Sequence, residues 1–488
     1  MRSQTRRSFL GTLAAPLAAS SARRPNVVFI LADDLGWRDT SLYGSRYYET
    51  PNIDKLAARG MMFRNAYAAS PLCSPTRSSI MTGLYPARTG ITIPVCHLPE
   101  VVLEQKLAAR GRPDQKALIP NSVTRLKLEY FTLAEAFKQA GYRTAHFGKW
   151  HLGHEPYDPL HQGFDVDLPH TPGPGPVGGY LGGPWKFWPS EGAPGEHIED
   201  RLAEEASRFV RENRDRPFYL NYWPFSVHSP WQAKPALIEK YKRKLDPRNP
   251  QRNPIYAAMV ESLDTAVGRV LRALDENGLA RDTIVVFTSD NGGVFWAPGE
   301  RGMLQPGYGD VPITSNLPLR AGKASVYEGG TREPAVVVWP GRVKPGSASD
   351  AVIQSVDYYP TLLEMAGIRA EPAQKFDGIS FVPALEGKPL GRQAIFCHFP
   401  HYTPAANNVP GTYVRKGGWK LIRFWCDNPD QTDRFELYDL ENDAGEAHDL
   451  AAKYPEKVKE LNALMERFLR DTNAVVPKPN PAYRPAKL

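Results

Sequence analysis

The chain is poor in cysteine, with four (Cys73, Cys96, Cys397 and Cys426) among 488 residues. So few cannot staple a fold of this length, and buried apolar surface must hold the core. One pair, Cys397 with Cys426, could close a disulfide in an oxidising compartment. Long apolar runs are also absent: residues 11–19 are too short to span a bilayer as a helix, and no later stretch is apolar enough. Nor is there a dense Lys/Arg run. The formal net charge is +7, and three of those charges (Arg2, Arg6 and Arg7) fall in residues 1–22, which hold no acid; this leaves +4. A balance that mild excludes nucleic acid as the natural partner. Internal repeats are missing too. What remains is 42% hydrophobic and 23% charged, enough for a large core and more than one domain.

Residues 1–22 read as an export signal. Thr5-Arg6-Arg7-Ser8-Phe9-Leu10 precedes the short apolar run, and small residues follow to Ala22. This is a twin-arginine type of start, cleaved near Ala22, so the export machinery is an expected partner and the destination is periplasmic or secreted. No cysteine lies near the cleavage point to carry a lipid.

Beyond the signal, Pro25-Asn26-Val27-Val28-Phe29-Ile30-Leu31-Ala32 is apolar and β-branched throughout. It predicts a strand buried on both faces, as in parallel sheets. It ends in Asp33-Asp34. Helical spacing through Val260, Leu263, Val267, Val270, Leu271 and Leu274 stops at Asn277-Gly278. A second apolar strand follows, 283–288, and ends in Asp290-Asn291. Carboxylates at strand C-termini lie where open α/β sheets bind ligands. Adjacent like charges there call for a cation. Oxygen ligands without sulfur or imidazole select a hard ion, Ca2+ or Mg2+.

Between these clusters lies Cys73-Ser74-Pro75-Thr76-Arg77. Proline two residues after Cys73 excludes a mid-helix position, so Cys73 belongs where a loop enters a helix. Backbone N–H groups and a positive dipole end are available to an anion there, with Arg77 about one turn on. Thr132-Leu133-Ala134-Glu135 is a capping box. The helix it opens leads through Gly141 to a strand over 142–147 and then to Gly148-Lys149-Trp150-His151-Leu152-Gly153, which puts Lys149 and His151 at the same sheet edge. A further strand, 217–223, precedes His228, and another covers 335–339. His146, His154 and His161 match no catalytic role.

Taken together, these blocks resemble the type I, formylglycine-dependent sulfatases of the alkaline phosphatase superfamily. Cys73-Ser74-Pro75-Thr76-Arg77 is similar to their modification signature, with Thr76 where serine is commoner. Gly148 to Gly153 resembles the second signature, and His228 and the 320–334 block resemble two more. The resemblance implies that Cys73 is oxidised to formylglycine by a maturation enzyme. It implies Ca2+ (Mg2+ remaining possible) on Asp33, Asp34, Asp290, Asn291 and the side chain at Cys73. Cys73, Arg77, Lys149, His151, His228 and Lys323 are the implied catalytic set. Lys149, His228 and Lys323 hold sulfate, His228 or Lys323 protonates the leaving alcohol, and His151 deprotonates the second hydroxyl of the formylglycine hydrate. The implied reaction splits a sulfate ester, of a sulfated carbohydrate or an aryl sulfate, into alcohol and sulfate. Three alternatives stay open: a phosphodiesterase or phosphonate monoester hydrolase with the same nucleophile, a non-catalytic sulfated-glycan binder with an unmodified Cys73, and a structural secreted protein.

The expected fold is therefore α/β: a large mixed, mostly parallel sheet flanked by helices over 23–385. A smaller antiparallel α+β domain is expected over 386–475, with strands at 394–399, 411–415, 418–425 and 434–438 and a final amphipathic helix. The proline-rich tail, 476–488, should be extended and weakly ordered. The residues that choose the substrate are sought in the Pro/Gly-rich loop 169–195, with Tyr180, Trp185 and Trp188, and in the cluster His398, Pro400, His401 and Tyr402. For both, structural packing is the competing reading.

Overall fold

A computed structural model describes residues 24–183, 185, 188, 194–297, 311–369 and 375–485. The export signal expected over 1–22 and part of the 169–195 loop lie outside them.

The strand Asn26–Ala32 is buried at all seven positions. It pairs in parallel with Phe218–Trp223 on one side and Thr283–Ser289 on the other. Its alternation feeds two layers. Val28, Ile30 and Ala32 enter the layer that contains Leu202, Leu263 and Val267, from the helices Ile198–Glu212 and Pro254–Glu276. Val27, Phe29 and Leu31 enter the opposite layer, with Phe137 and Leu362 from Leu133–Gln139 and Tyr358–Met365. A strand covered by helices on both faces needs an unbroken apolar run, and that run is what the sequence displays.

Among the described residues the sheet has eight strands, in the order Val166–Leu168, Arg143–Gly148, Phe218–Trp223, Asn26–Ala32, Thr283–Ser289, Arg332–Val338, Met61–Tyr67, Ser347–Gln354. Arg332–Val338 runs antiparallel to both neighbours, which makes the sheet mixed. The capping box at Thr132 and Glu135 forms as expected. Three strands escaped the sequence reading. Val166–Leu168 has only three residues, Ser347–Gln354 is a half-exposed edge, and the register of Met61–Tyr67 shifts after Phe63.

A separate antiparallel sheet follows, with Ile395–Phe399, Gly411–Lys416, Trp419–Phe424 and Arg434–Asp439 in sequential order. The helix Pro455–Asp471 packs Leu461, Met465, Phe468 and Leu469 against Val414, Leu421 and Leu437. The pairing left open for Cys397 and Cys426 is not made: both are free and buried. One expectation is corrected here. The tail is extended but anchored through residue 480: Lys478–Pro479 pairs with Ala117–Leu118, and the Asn480 amide donates to the Arg112 and Gln115 carbonyls at 2.9 and 2.8 Å. A pairing this distant leaves no local sequence signal.

The second sheet is tied to the first by a buried ion cluster. Lys420 Nζ lies 3.0 Å from Glu328 Oε1 and 2.9 Å from Glu446 Oε1, and all three side chains are sealed from solvent. Glu446 Oε2 also accepts the Glu328 backbone N–H at 2.6 Å. Deleting the cation strands two carboxylates in a dry interior, a loss of roughly 3–5 kcal/mol for a broken buried pair. Lys420→Met should therefore lower the free energy of urea unfolding by about that amount, whereas a loss below about 1 kcal/mol, the level of an exposed pair, would contradict the cluster's role.

Candidate active site

The loops that leave the parallel strands meet at one sheet edge. Asp33-Asp34 follow Asn26–Ala32, Lys149 follows Arg143–Gly148, and Asp290-Asn291 follow Thr283–Ser289. Backbone bonds continue past the strand ends: Asp33 N–H donates to Ser226 O at 2.9 Å, Val227 N–H to Asp33 O at 2.6 Å, and Asp290 N–H to Ala32 O at 3.1 Å. Gly148 sits at φ +115°, and a Cβ there would lie 1.9 Å from the Trp223 carbonyl oxygen, so only glycine lets Lys149 leave the strand this closely.

Three carboxylates and an amide share this edge with three cations. Lys149 Nζ lies 2.6 Å from Asp33 Oδ2, and Lys323 Nζ lies 2.6 Å from Asp34 Oδ2. Arg77 contacts Asp290 Oδ2 at 2.8 Å and Asp33 Oδ1 at 3.8 Å, and donates to the Lys149 carbonyl at 2.6 Å. The Asn291 amide donates to Asp34 Oδ1 at 2.8 Å. Burial alone would raise the Asp34 carboxyl; Lys323, then His228 and Lys149, outweigh it and hold Asp34 well below the usual range. Asp290 goes the other way: burial first, then the Asp33 charge, push it up to about 6. Asp33 Oδ1 and Asn291 Oδ1 are buried and accept no hydrogen bond.

Cys73 is the first residue of the helix Cys73–Thr82, after an extended Leu72. Pro75 fits because its missing N–H is one that a first turn leaves unpaired. The Cys73 Sγ lies within 4.8 Å of ligand atoms of Asp34 and His228, and likewise of Asp33 and Asp290. Burial raises the thiol to about 11, although Lys149 and Lys323 pull it down. His228 Nε2 stands 3.8 Å from Asp34 Oδ2. Burial, with Lys149 and Lys323, lowers its pKa to about 3. The side chains of His228 and Lys323 remain 15% and 12% exposed, while Asp33, Arg77 and Lys149 are at 0%. Solvent therefore reaches the cluster from the His228 and Lys323 side. His151 is buried at φ +55°, and its carbonyl accepts the Ser74 hydroxyl at 2.6 Å.

All ten anticipated positions thus fall in one cluster. One neighbour was not anticipated: His97 Nδ1 lies 2.9 Å from His151 Nε2, and His97 sits in no motif and at no strand end, so nothing local marks it. Tyr180, singled out in the 169–195 loop, donates its hydroxyl to the Phe225 and His228 carbonyls at 2.7 and 2.9 Å. The expected substrate-facing groups are instead structural. His398 bonds Thr412, and His401 bonds Thr92, each at 2.7 Å and each buried. Tyr180, Trp185 and Trp188 are also buried and pack their loop down. His146 is enclosed by the Trp150, Phe164 and Trp223 rings and, as expected, has no place in the cluster.

Residues 25–368 match the Sulfatase family model. The chain belongs to the sulfatase family. Residues 322–474 also match the model described as N-sulphoglucosamine sulphohydrolase, C-terminal. The sulfatase is 33% identical to a sulfatase of Formosa agariphila, over 94% of this chain and 92% of that one. It is 32% identical to N-acetylgalactosamine-6-sulfatase of Canis lupus familiaris, over 78% and 69%. Among solved structures it resembles Ps i-CgsB, crystallised in complex with k-i-k-neocarrahexaose, with a TM-score of 0.73 at 26% identity, covering 92% of this chain and 94% of that one. The sulfatase is accordingly a sulfuric ester hydrolase with the expected alkaline phosphatase-like fold.

The segment after Asp290-Asn291 meets the 320–334 segment at Gly292, where a Cβ would lie 1.8 Å from the Gly329 carbonyl oxygen. Gly292→Ala must push the loop bearing Lys323 away from Asp290-Asn291. Overpacking of this kind costs about 1–3 kcal/mol, and a shift near 1 Å costs about 100-fold in rate. Steady-state kinetics should show a kcat/KM loss of that order; unchanged kinetics would contradict the contact.

Proposed function

We propose that this sulfatase acts through a formylglycine made from Cys73 and a divalent cation, Ca2+, and that its substrate is a sulfated carbohydrate. The observation that carries the reading is Cys73 at a helix start, its Sγ within 4.8 Å of ligand atoms of Asp33, Asp34, Asp290 and His228. A thiol raised to about 11 is protonated at neutral pH and a poor nucleophile, which is the physical case for converting it.

The donor set fits a hard cation. Asp33, Asp34, Asp290 and Asn291 offer oxygen alone, and the bare Asp33 Oδ1 and Asn291 Oδ1 are buried acceptors in need of a partner. Four buried protein groups suit Ca2+ better than Mg2+, which keeps several waters. A cation there supplies positive charge that polarises the oxygens beside it. The formylglycine supplies, as its hydrate, one hydroxyl to attack sulfur and another to be deprotonated when sulfate leaves. Arg77, held by Asp290 and the Lys149 carbonyl, orients this end of the helix. Lys149, Lys323 and His228 hold the sulfate oxygens and stabilise the charge that develops on them. His228 and Lys323, on the solvent-facing side, flank the departing alcohol, and one of them gives it a proton. His151 takes the proton from the second hydroxyl.

The saccharides named for its relatives support a carbohydrate substrate, and the twin-arginine start supports export to where sulfated glycans are met. A formylglycine-generating enzyme is the required partner. Among the described residues no helix is long and apolar enough to cross a membrane.

Metal analysis of active protein should find one Ca2+ per chain, and chelation should abolish turnover and lower the Tm. Active protein without a bound divalent ion, or with zinc held by histidines, would contradict the metal assignment. Leaving-group dependence identifies the acid. The variant of His228 or Lys323 that removes it should lose about 100- to 10,000-fold on a sugar sulfate and far less on 4-nitrophenyl sulfate, whose phenolate leaves unaided. Equal losses on both substrates, for both variants, would mean that these side chains only bind sulfate.

A further inference from the structure

We infer that His97 is a positioning residue that fixes the tautomer of His151: His151 donates its Nε2–H to His97 Nδ1, which leaves Nδ1 of His151 as the free acceptor. For its catalytic consequence the inference rests on the reading of His151 as the base.

The contact is direct, with His97 Nδ1 2.9 Å from His151 Nε2. Two neutral imidazoles at that distance share one proton, so one donates and the other accepts. Both rings are kept neutral. Burial, then Lys149, His97, Arg77 and His228, hold His151 well below its ordinary pKa. Burial, Lys149 and His154 lower His97, and the Pro94 carbonyl opposes them. The direction of donation follows from the other nitrogen of His151. Its Nδ1 is buried and has no hydrogen-bond partner. A proton on Nδ1 would be an N–H with no acceptor, the rarer and costlier kind of orphan; a lone pair there is cheaper. That lone pair is also what a base needs.

The segment that carries His97 is irregular but held. Three successive carbonyls are bonded: Cys96 O and Leu98 O accept from Arg125 at 3.2 and 2.8 Å, and His97 O is 2.8 Å from His154 Nε2. Arg125 is itself buried. On the other side, the Ser74 hydroxyl fixes the His151 carbonyl. Both rings are thus presented from anchored backbone, one half-buried and the other sealed.

The test begins with protein whose Cys73 is left unmodified, labelled with 15N-histidine, in a long-range 1H–15N spectrum near neutral pH. Wild type should show His151 protonated on Nε2 alone. His97→Ala should give a mixture or the Nδ1–H form, and His97→Asn, whose Oδ1 can stand in for Nδ1, should restore Nε2–H. In formylglycine-containing enzyme, His97→Ala should lower kcat by roughly 10- to 100-fold, the usual range for a partner that orients a functional histidine. KM should hardly change, and His97→Asn should recover most of the loss. A wild-type His151 protonated on Nδ1, or the same tautomer in His97→Ala, overturns the inference. A tautomer that shifts while kcat does not would support the lock and remove the base role from His151, so the two readings fail separately.

Discussion

Three buried carboxylates at the ends of two neighbouring parallel strands are the constraint around which the molecule is arranged. Asp33, Asp34 and Asp290 are each fully buried or nearly so. Like charges in such a place are tolerated only when opposite charge surrounds them. Each has its own cation, drawn from a different part of the chain: Lys149 from the strand beyond, Arg77 from the Cys73–Thr82 helix, Lys323 from a loop more than 200 residues later. Under the proposed function, two of the groups that neutralise the acids, Lys149 and Lys323, are also the groups that hold the sulfate ester.

This arrangement gives the second sheet a role in the chemistry without a contact to the reacting atoms. The loop bearing Lys323 is braced on one flank by Arg320, which donates to the Tyr438 hydroxyl and the Glu446 carbonyl, each at 3.0 Å. On the other flank Glu328 is locked by Lys420 and Glu446. Gly292 and Gly293 then hold the loop against the Asp290 strand end. Rigid support on both sides is what a charged side chain needs if it is to hold sulfate in one place.

The parts legible in the sequence were those whose signal is local. The run 26–32 announced a doubly buried strand because burial on both faces removes alternation, and Pro75 announced a helix start because proline tolerates few other positions. The C-terminal strands were marked by the polar turns that separate short apolar runs, although the sheet they form is largely buried. What stayed hidden depends on distant partners: the tail at Asn480, the His97 contact, and the Lys420 cluster, whose members are far apart in the chain. The histidines at 398 and 401 misled for the same reason. Their position after a strand suggested a mouth, but Thr412 and Thr92 had already claimed them.

The central claim is that the residue at position 73, in the field of these carboxylates and cations, works only after its thiol has been replaced. The most direct measurement is the mass of the proteolytic peptide bearing Cys73, taken across preparations made with and without a formylglycine-generating enzyme and set against their turnover of a sulfate ester. Activity should rise in proportion to the fraction of peptide in which the CH2–SH group has become an aldehyde. Full turnover from protein whose peptide still carries the thiol would contradict the account.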